Sequence, residues 1–86
     1  MQKKIKLSES ETDFLYSNTA KVTSSHEETF VEFGVSRPVK DELHVQVHSK
    51  IAMSYPSMKR LVLSLGEHLR KYEKLNGEIK IQADEK

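Results

Sequence analysis

An α+β fold, with a three-stranded antiparallel β-meander followed by one long C-terminal α-helix packed on the sheet, is what three features of the sequence predict. Three apolar-alternating runs lie between residues 14 and 53, short polar connections separate them, and one stretch with helical spacing runs from Ser54 to Gly77. Short connections join antiparallel neighbours, whereas a parallel pair needs a crossover of a dozen residues or more.

The first run is FLYSNTAKV, residues 14–22. Phe14, Tyr16, Ala20 and Val22 share one parity, while Ser17, Thr19 and Lys21 take the other, the pattern of a half-buried strand. TSSHEE follows as a hairpin tip of easily solvated residues. The second run, TFVEFGV, puts Val31, Phe33 and Val35 on one face and Glu32 and Gly34 on the other, with Phe30 on the polar side. SRPVKDE reads as the second turn, because Pro38 cannot donate to a central ladder. In LHVQVHSKIAM, Leu43, Val45, Val47, Ile51 and Met53 alternate with His44, Gln46, His48, Lys50 and Ala52. That parity predicts one long strand with an apolar and a wet face.

Ser54 is placed to cap the helix by accepting from a free amide of the first turn. Pro56 fits that turn, where its missing N–H is harmless. Asn76-Gly77 is the stop, since glycine adopts the left-handed conformation beyond a helix without a Cβ penalty. At 100° per residue, Met58, Leu61, Val62, Leu65, Leu69 and Tyr72 fall within about 100° of arc, a core stripe of ordinary width. Leu63 lies outside it, among Lys59, Arg60, Glu67, Arg70, Lys71 and Lys74. Gly66 costs about 1 kcal/mol against alanine in a helix interior. EIKI, residues 78–81, is compatible with a short closing strand. The organisation read from this is a mobile polar tail over residues 1–12, a single α+β domain over 13–82 and a tail over 83–86.

The composition sets limits on function. A domain within 86 residues buries only about 60% of its unfolded surface and is marginal alone. The formal charge is +1, from 14 basic and 13 acidic side chains, a smaller excess than a protein steered mainly to nucleic acid carries. There is no cysteine, which excludes disulfides and thiolate metal sites. The opening MQKKIKLSESET lacks the apolar region of a secretory signal. No stretch approaches the roughly 18 apolar residues of a membrane span. A cytoplasmic protein without membrane attachment is the expectation.

No chemical constellation stands out. His44 and His48 share an expected strand face, but four residues at about 3.3 Å each separate them by about 13 Å, too far to hold one metal. Only a cross-strand partner such as His26 could complete a site, and no carboxylate cluster assists. Ser54 and Ser57 have no nucleophile-elbow context and read as capping residues. Glu27 and Glu28 are adjacent and point apart, so no carboxylate pair is indicated. Three glycines build no phosphate loop. The chain is expected to have no enzymatic activity, cofactor or metal.

The order of features resembles a small prokaryotic family catalogued as domain of unknown function 3467. The resemblance rests on Tyr16, Ser17 and Asn18 opening the first strand, Phe33 in the second, and Lys50 near the end of the third. It continues with Ser54 as the cap, Lys59, Arg60 and Leu61 in the helix, and Lys71, Tyr72, Glu73, Gly77, Glu78 and Ile79 at its close. It covers roughly residues 14–81. The chain departs where relatives have proline directly after the cap, because Tyr55 precedes Pro56. The resemblance implies a fold and a lineage and no activity.

The function expected is a non-enzymatic protein-interaction module acting as a homo-oligomer, a dimer in its simplest form, with a protein partner that the sequence does not name. A core of about six helix and ten strand side chains is thin for some 65 ordered residues, and an open sheet has two unpaired edges. Leu63, Gly66 and Arg70 are the interface candidates: an apolar residue among charges, a neighbour that permits close approach, and a flanking cation. The alternative is a nucleic-acid-binding accessory protein, in which Lys59, Arg60, Arg70, Lys71 and Lys74 meet phosphates. Glu67 and Glu73 interrupt that surface, and no aromatic residue on it offers base stacking.

Overall fold

The structure, a computed structural model, describes residues 3–9 and 13–81. Of the expected tails, residues 1, 2, 10–12 and 82–86 lie outside the described residues. Residues 3–9 have no regular structure, and Ile5 and Leu7 are exposed. The chain then forms β1 (Thr19–Ser24), β2 (Glu28–Val39), β3 (Glu42–Ser54) and α1 (Tyr55–Asn76). The strands lie in the order β1-β2-β3, both pairs antiparallel. The α+β class, the meander and the C-terminal helix are as the sequence predicts.

β1 begins later than its alternation suggests. Phe14 and Tyr16 lie outside the strand, 107% and 74% exposed. Two polar side chains carry the start instead. Ser17 Oγ donates within reach of the Thr19 and Gly34 carbonyls, at 2.8 and 3.0 Å. The Asn18 amide acts as a peptide would: Nδ2 donates to the Ser36 carbonyl at 3.0 Å, and Oδ1 accepts the Ser36 N–H at 2.7 Å. Side chains of this kind compete with the backbone for ladder bonds.

β2 runs through Pro38, where the sequence predicts a turn. Pro38 is tolerated because β1 pairs with β2 only as far as Gly34, so its missing N–H faces no strand. The connection to β3 is the two residues Lys40 and Asp41. Lys40 takes φ +56°, as the first central residue of a primed hairpin turn does.

β3 holds the largest departure. Phe33 pairs with Ser49, but Gly34 pairs with Val47, so His48 has no partner. A one-residue bulge turns the following side chains to the other face. The alternation is continuous in sequence and broken in space. Between the bulge and the helix, Ile51 and Met53 share a face with Val22, Val31 and Phe33. Beyond it, Leu43, Val45 and Val47 share the opposite face with Gly34, Ser36 and Pro38. Val35 and Val39 keep the first face, beside Gln46 and Glu42. The expected single apolar face is therefore divided between the two sides of the sheet.

α1 begins and ends where the sequence predicts, though Gly77 takes an extended positive-φ conformation, ψ 163°, rather than the left-handed helical one. Ser54 accepts the Ser57 N–H at 3.3 Å, Pro56 lies in the first turn, and Gly77 stops the helix at φ +91°. The Glu73 carbonyl accepts the Gly77 N–H at 2.8 Å, and its carboxylate accepts that of Ile79 at 2.9 Å. Those bonds fold the chain against the helix end, and residues 77–81 form no closing strand.

The helix meets β2 and β3 without closing over them. Its stripe stays bare: Leu61, Val62, Leu65, Leu69 and Tyr72 are 42–60% exposed. The reason is local. Ser54 is both the last residue of β3 and the helix cap, so no loop exists to fold the helix back over its own strands. Tyr55 Oη fixes the junction by donating to the Ser25 carbonyl at 2.7 Å. Thr29 is fully buried there, with Met53, Ser57 and Met58 half-buried, and along β2 burial continues through half-buried 30–33 to buried Gly34. Among the described residues, no apolar side chain is fully buried.

Candidate functional site

The sequence offered two candidate surfaces on one helix. At 100° per residue, Leu63 lies about 140° from Met58, so the two faces are distinct. Leu63 is 63% exposed, yet Leu65 at the centre of the other stripe is 60% exposed. The distinction drawn from sequence, a stripe for the core and Leu63 for a partner, has no counterpart in coverage. A Cβ built on Gly66 meets nothing within 4 Å. Arg70 is exposed beside it.

The basic face is solvated. Lys71 pairs with Glu67 at 3.6 Å, with both side chains largely exposed, an arrangement worth well under about 1 kcal/mol. Arg60 Nη2 lies 3.5 Å from Ser57 Oγ. Lys59, Arg70 and Lys74 have no ion pair among the described residues.

The histidines are dispersed. His44 Nε2 donates to the Glu42 carboxylate at 3.0 Å. The bulge separates it from the expected face-mate His48, whose Nε2–H reaches the Tyr16 carbonyl at 2.9 Å. A carbonyl only accepts, so Nε2 carries a proton, while Nδ1 lies 2.8 Å from Ser49 Oγ. His48 thus ties β3 to the segment before β1. Among the described residues, no group of three or more His, Asp or Glu is arranged to hold a metal. The Ser54 and Ser57 hydroxyls are 3.1 Å apart within the helix cap.

What sequence reasoning missed is the patch of Leu43, Val45 and Val47, 64%, 51% and 41% exposed. The signal was Ser49, a polar residue where continuous alternation calls for an apolar one. Gly34 was the second sign: a Cβ there would stand 2.4 Å from the Gln46 carbonyl oxygen, so only glycine allows β3 to close in at the bulge.

The molecule is thus a small α+β chain whose apolar surfaces, a helix stripe and two half-faces of a sheet, stand open. It belongs to the family described as protein of unknown function (DUF3467), whose model matches residues 1–81. No curated protein and no solved structure matches the chain. Among the described residues, no helix is long and apolar enough to cross a membrane.

Proposed function

We propose that this chain is a non-enzymatic protein-interaction module that works as a homo-oligomer, in its simplest form a two-fold dimer, and binds a further protein in that state. One observation carries the reading: the helix stripe from Leu61 to Tyr72 is open along its length. Burying one such side chain is worth about 1.5–3 kcal/mol, and small domains have little stability from other sources. Where one chain cannot cover its own stripe, a second copy supplies the missing half of the core, as in obligate dimers. Leu63, Gly66 and Arg70 then flank the interface or remain free for the further partner.

Sedimentation at micromolar concentration tests this. The expected mass is at least twice the 9.9 kDa of one chain, with a melting temperature that rises with protein concentration. A heat-stable monomer overturns it.

The alternative rests on Lys59, Arg70 and Lys74, which have no ion pair among the described residues and lie on the side of the helix away from the stripe. It requires binding to random DNA that falls steeply between low and physiological salt, with a flatter slope after charge reversal at Arg70 and Lys74. The absence of a shift in a low-salt gel excludes it.

A further inference from the structure

We infer that the helix of one copy lies across the Leu43–Val45–Val47 patch of a second copy, and that the second helix returns the contact. This rests on the homo-oligomer reading and specifies its interface. Three observations support it.

The first is reach. The zero-residue junction at Ser54 keeps the stripe off the chain's own sheet. Burial at that junction gathers on the face of Thr29 and Met53, and the patch lies on the opposite face. The chain's own helix therefore leaves the patch bare.

The second is area. A folded monomer of this mass exposes about 5,200 Å² by the size scaling of globular proteins. This chain exposes 8913 Å², an excess several times the roughly 800 Å² per partner of a standard interface. Residues 3–9 and the irregular segments 13–17 and 77–81, where Phe14, Tyr16 and Ile81 are exposed, contribute to that excess, and the bare stripe and patch add to it.

The third is complementarity. From Leu61 to Tyr72 the open stripe is about 17 Å long, enough to cross the sheet. The patch runs about 13 Å along β3. Around a two-fold axis, one reciprocal contact covers both surfaces in both copies.

The chain has no cysteine, so introduced thiols report proximity without background. Two differently tagged full-length variants are co-produced, one carrying Val45→Cys and the other Leu61→Cys, Leu65→Cys or Leu69→Cys in turn. They are then mildly oxidised. A disulfide needs Cα atoms within about 7 Å. The expected result is a mixed disulfide for at least one pair, several-fold above the like pairs. A Val45→Cys like pair as the dominant product means sheet-on-sheet contact and overturns the inference. A dominant Leu65→Cys like pair means helix-on-helix contact and also overturns it. No cross-link in a preparation that sediments as a dimer sinks this interface and leaves the homo-oligomer standing. A monomer sinks both.

Discussion

The two ends of the sheet differ in one respect that organises the rest of the molecule. At the helix end, Ile51 and Met53 face the same way as Val22, Val31 and Phe33, and the junction buries Thr29 completely. The other face there carries the charged row Lys21, Glu32 and Lys50, with half-buried Phe30 paired with Ala52 beside it. At the hairpin end, Leu43, Val45 and Val47 point to one side while Val35 and Val39 point to the other. One helix covers one face of a sheet. At the helix end the larger apolar group lies on the face where the junction buries Thr29, whereas at the hairpin end it lies on the opposite face, away from the chain's own helix. The bulge at His48 makes that difference with a single residue.

The sharpest way to break the comparison is at the stripe. Leu65→Ala removes a side chain that nothing covers in the single chain, so the isolated monomer should change little. In a two-fold dimer the loss counts twice, about 3–6 kcal/mol at about 1.5–3 kcal/mol per copy. That weakens association at least a hundredfold, which sedimentation equilibrium measures directly. Leu63→Glu, equally exposed but on the charged side, is the control. If it dissociates the dimer while Leu65→Ala does not, the association surface is the Leu63–Gly66–Arg70 face.

The next effect lies at the bulge. Gly34→Ala drives a Cβ to 2.4 Å from the Gln46 carbonyl oxygen, against backbone that cannot rotate away. Overpacking of this kind costs about 1–3 kcal/mol and occasionally more, and a value near the top of that range is expected in urea unfolding at fixed protein concentration. An unchanged midpoint would mean that β3 closes on Gly34 less tightly than described, and the division of the apolar faces would lose its anchor.

Much of this architecture was legible in the residues. Ser54, Pro56 and Gly77 act at the helix ends through chemistry confined to a few residues, and strand alternation is equally local. The bulge was not legible, because residues 43, 45, 47, 51 and 53 have the same parity whether or not one residue between them is skipped. Only the pairing of Gly34 with Val47 decides it, and pairing is a relation between strands. The open stripe is an intermediate case. A strand ending at Met53 and a cap at Ser54 leave no connecting loop, and that was visible. The expected packing of the helix on the sheet set it aside, because amphipathic spacing shows that a face needs cover and does not show which chain provides it.

The junction itself offers a smaller test. Ser54→Ala removes the acceptor for the Ser57 N–H and the hydroxyl partner of Ser57 Oγ. Loss of an N-cap costs about 1 kcal/mol, and the first turn, beside buried Thr29, should fray first. Amide exchange at Ser57 and Met58 reads that locally. Protection unchanged there would mean that Tyr55 and its bond to Ser25 hold the junction without the cap.

The smallest expected effect is at the far tip. Lys40 holds φ +56° in a two-residue loop, where a side chain in the left-handed region costs about 1 kcal/mol that glycine avoids. Glycine also loosens the unfolded chain, which offsets part of the gain. Lys40→Gly should therefore stabilise the hairpin by under about 1 kcal/mol, visible as a small rise in the urea midpoint with unchanged slope. The sign of the shift is the informative part. Stabilisation means that the β2–β3 register is set by the turn and the bulge together, with the turn under strain. Destabilisation means that the Lys40 side chain makes a contact in the assembled protein that the single chain lacks. The hairpin end would then meet the second copy as far as its tip.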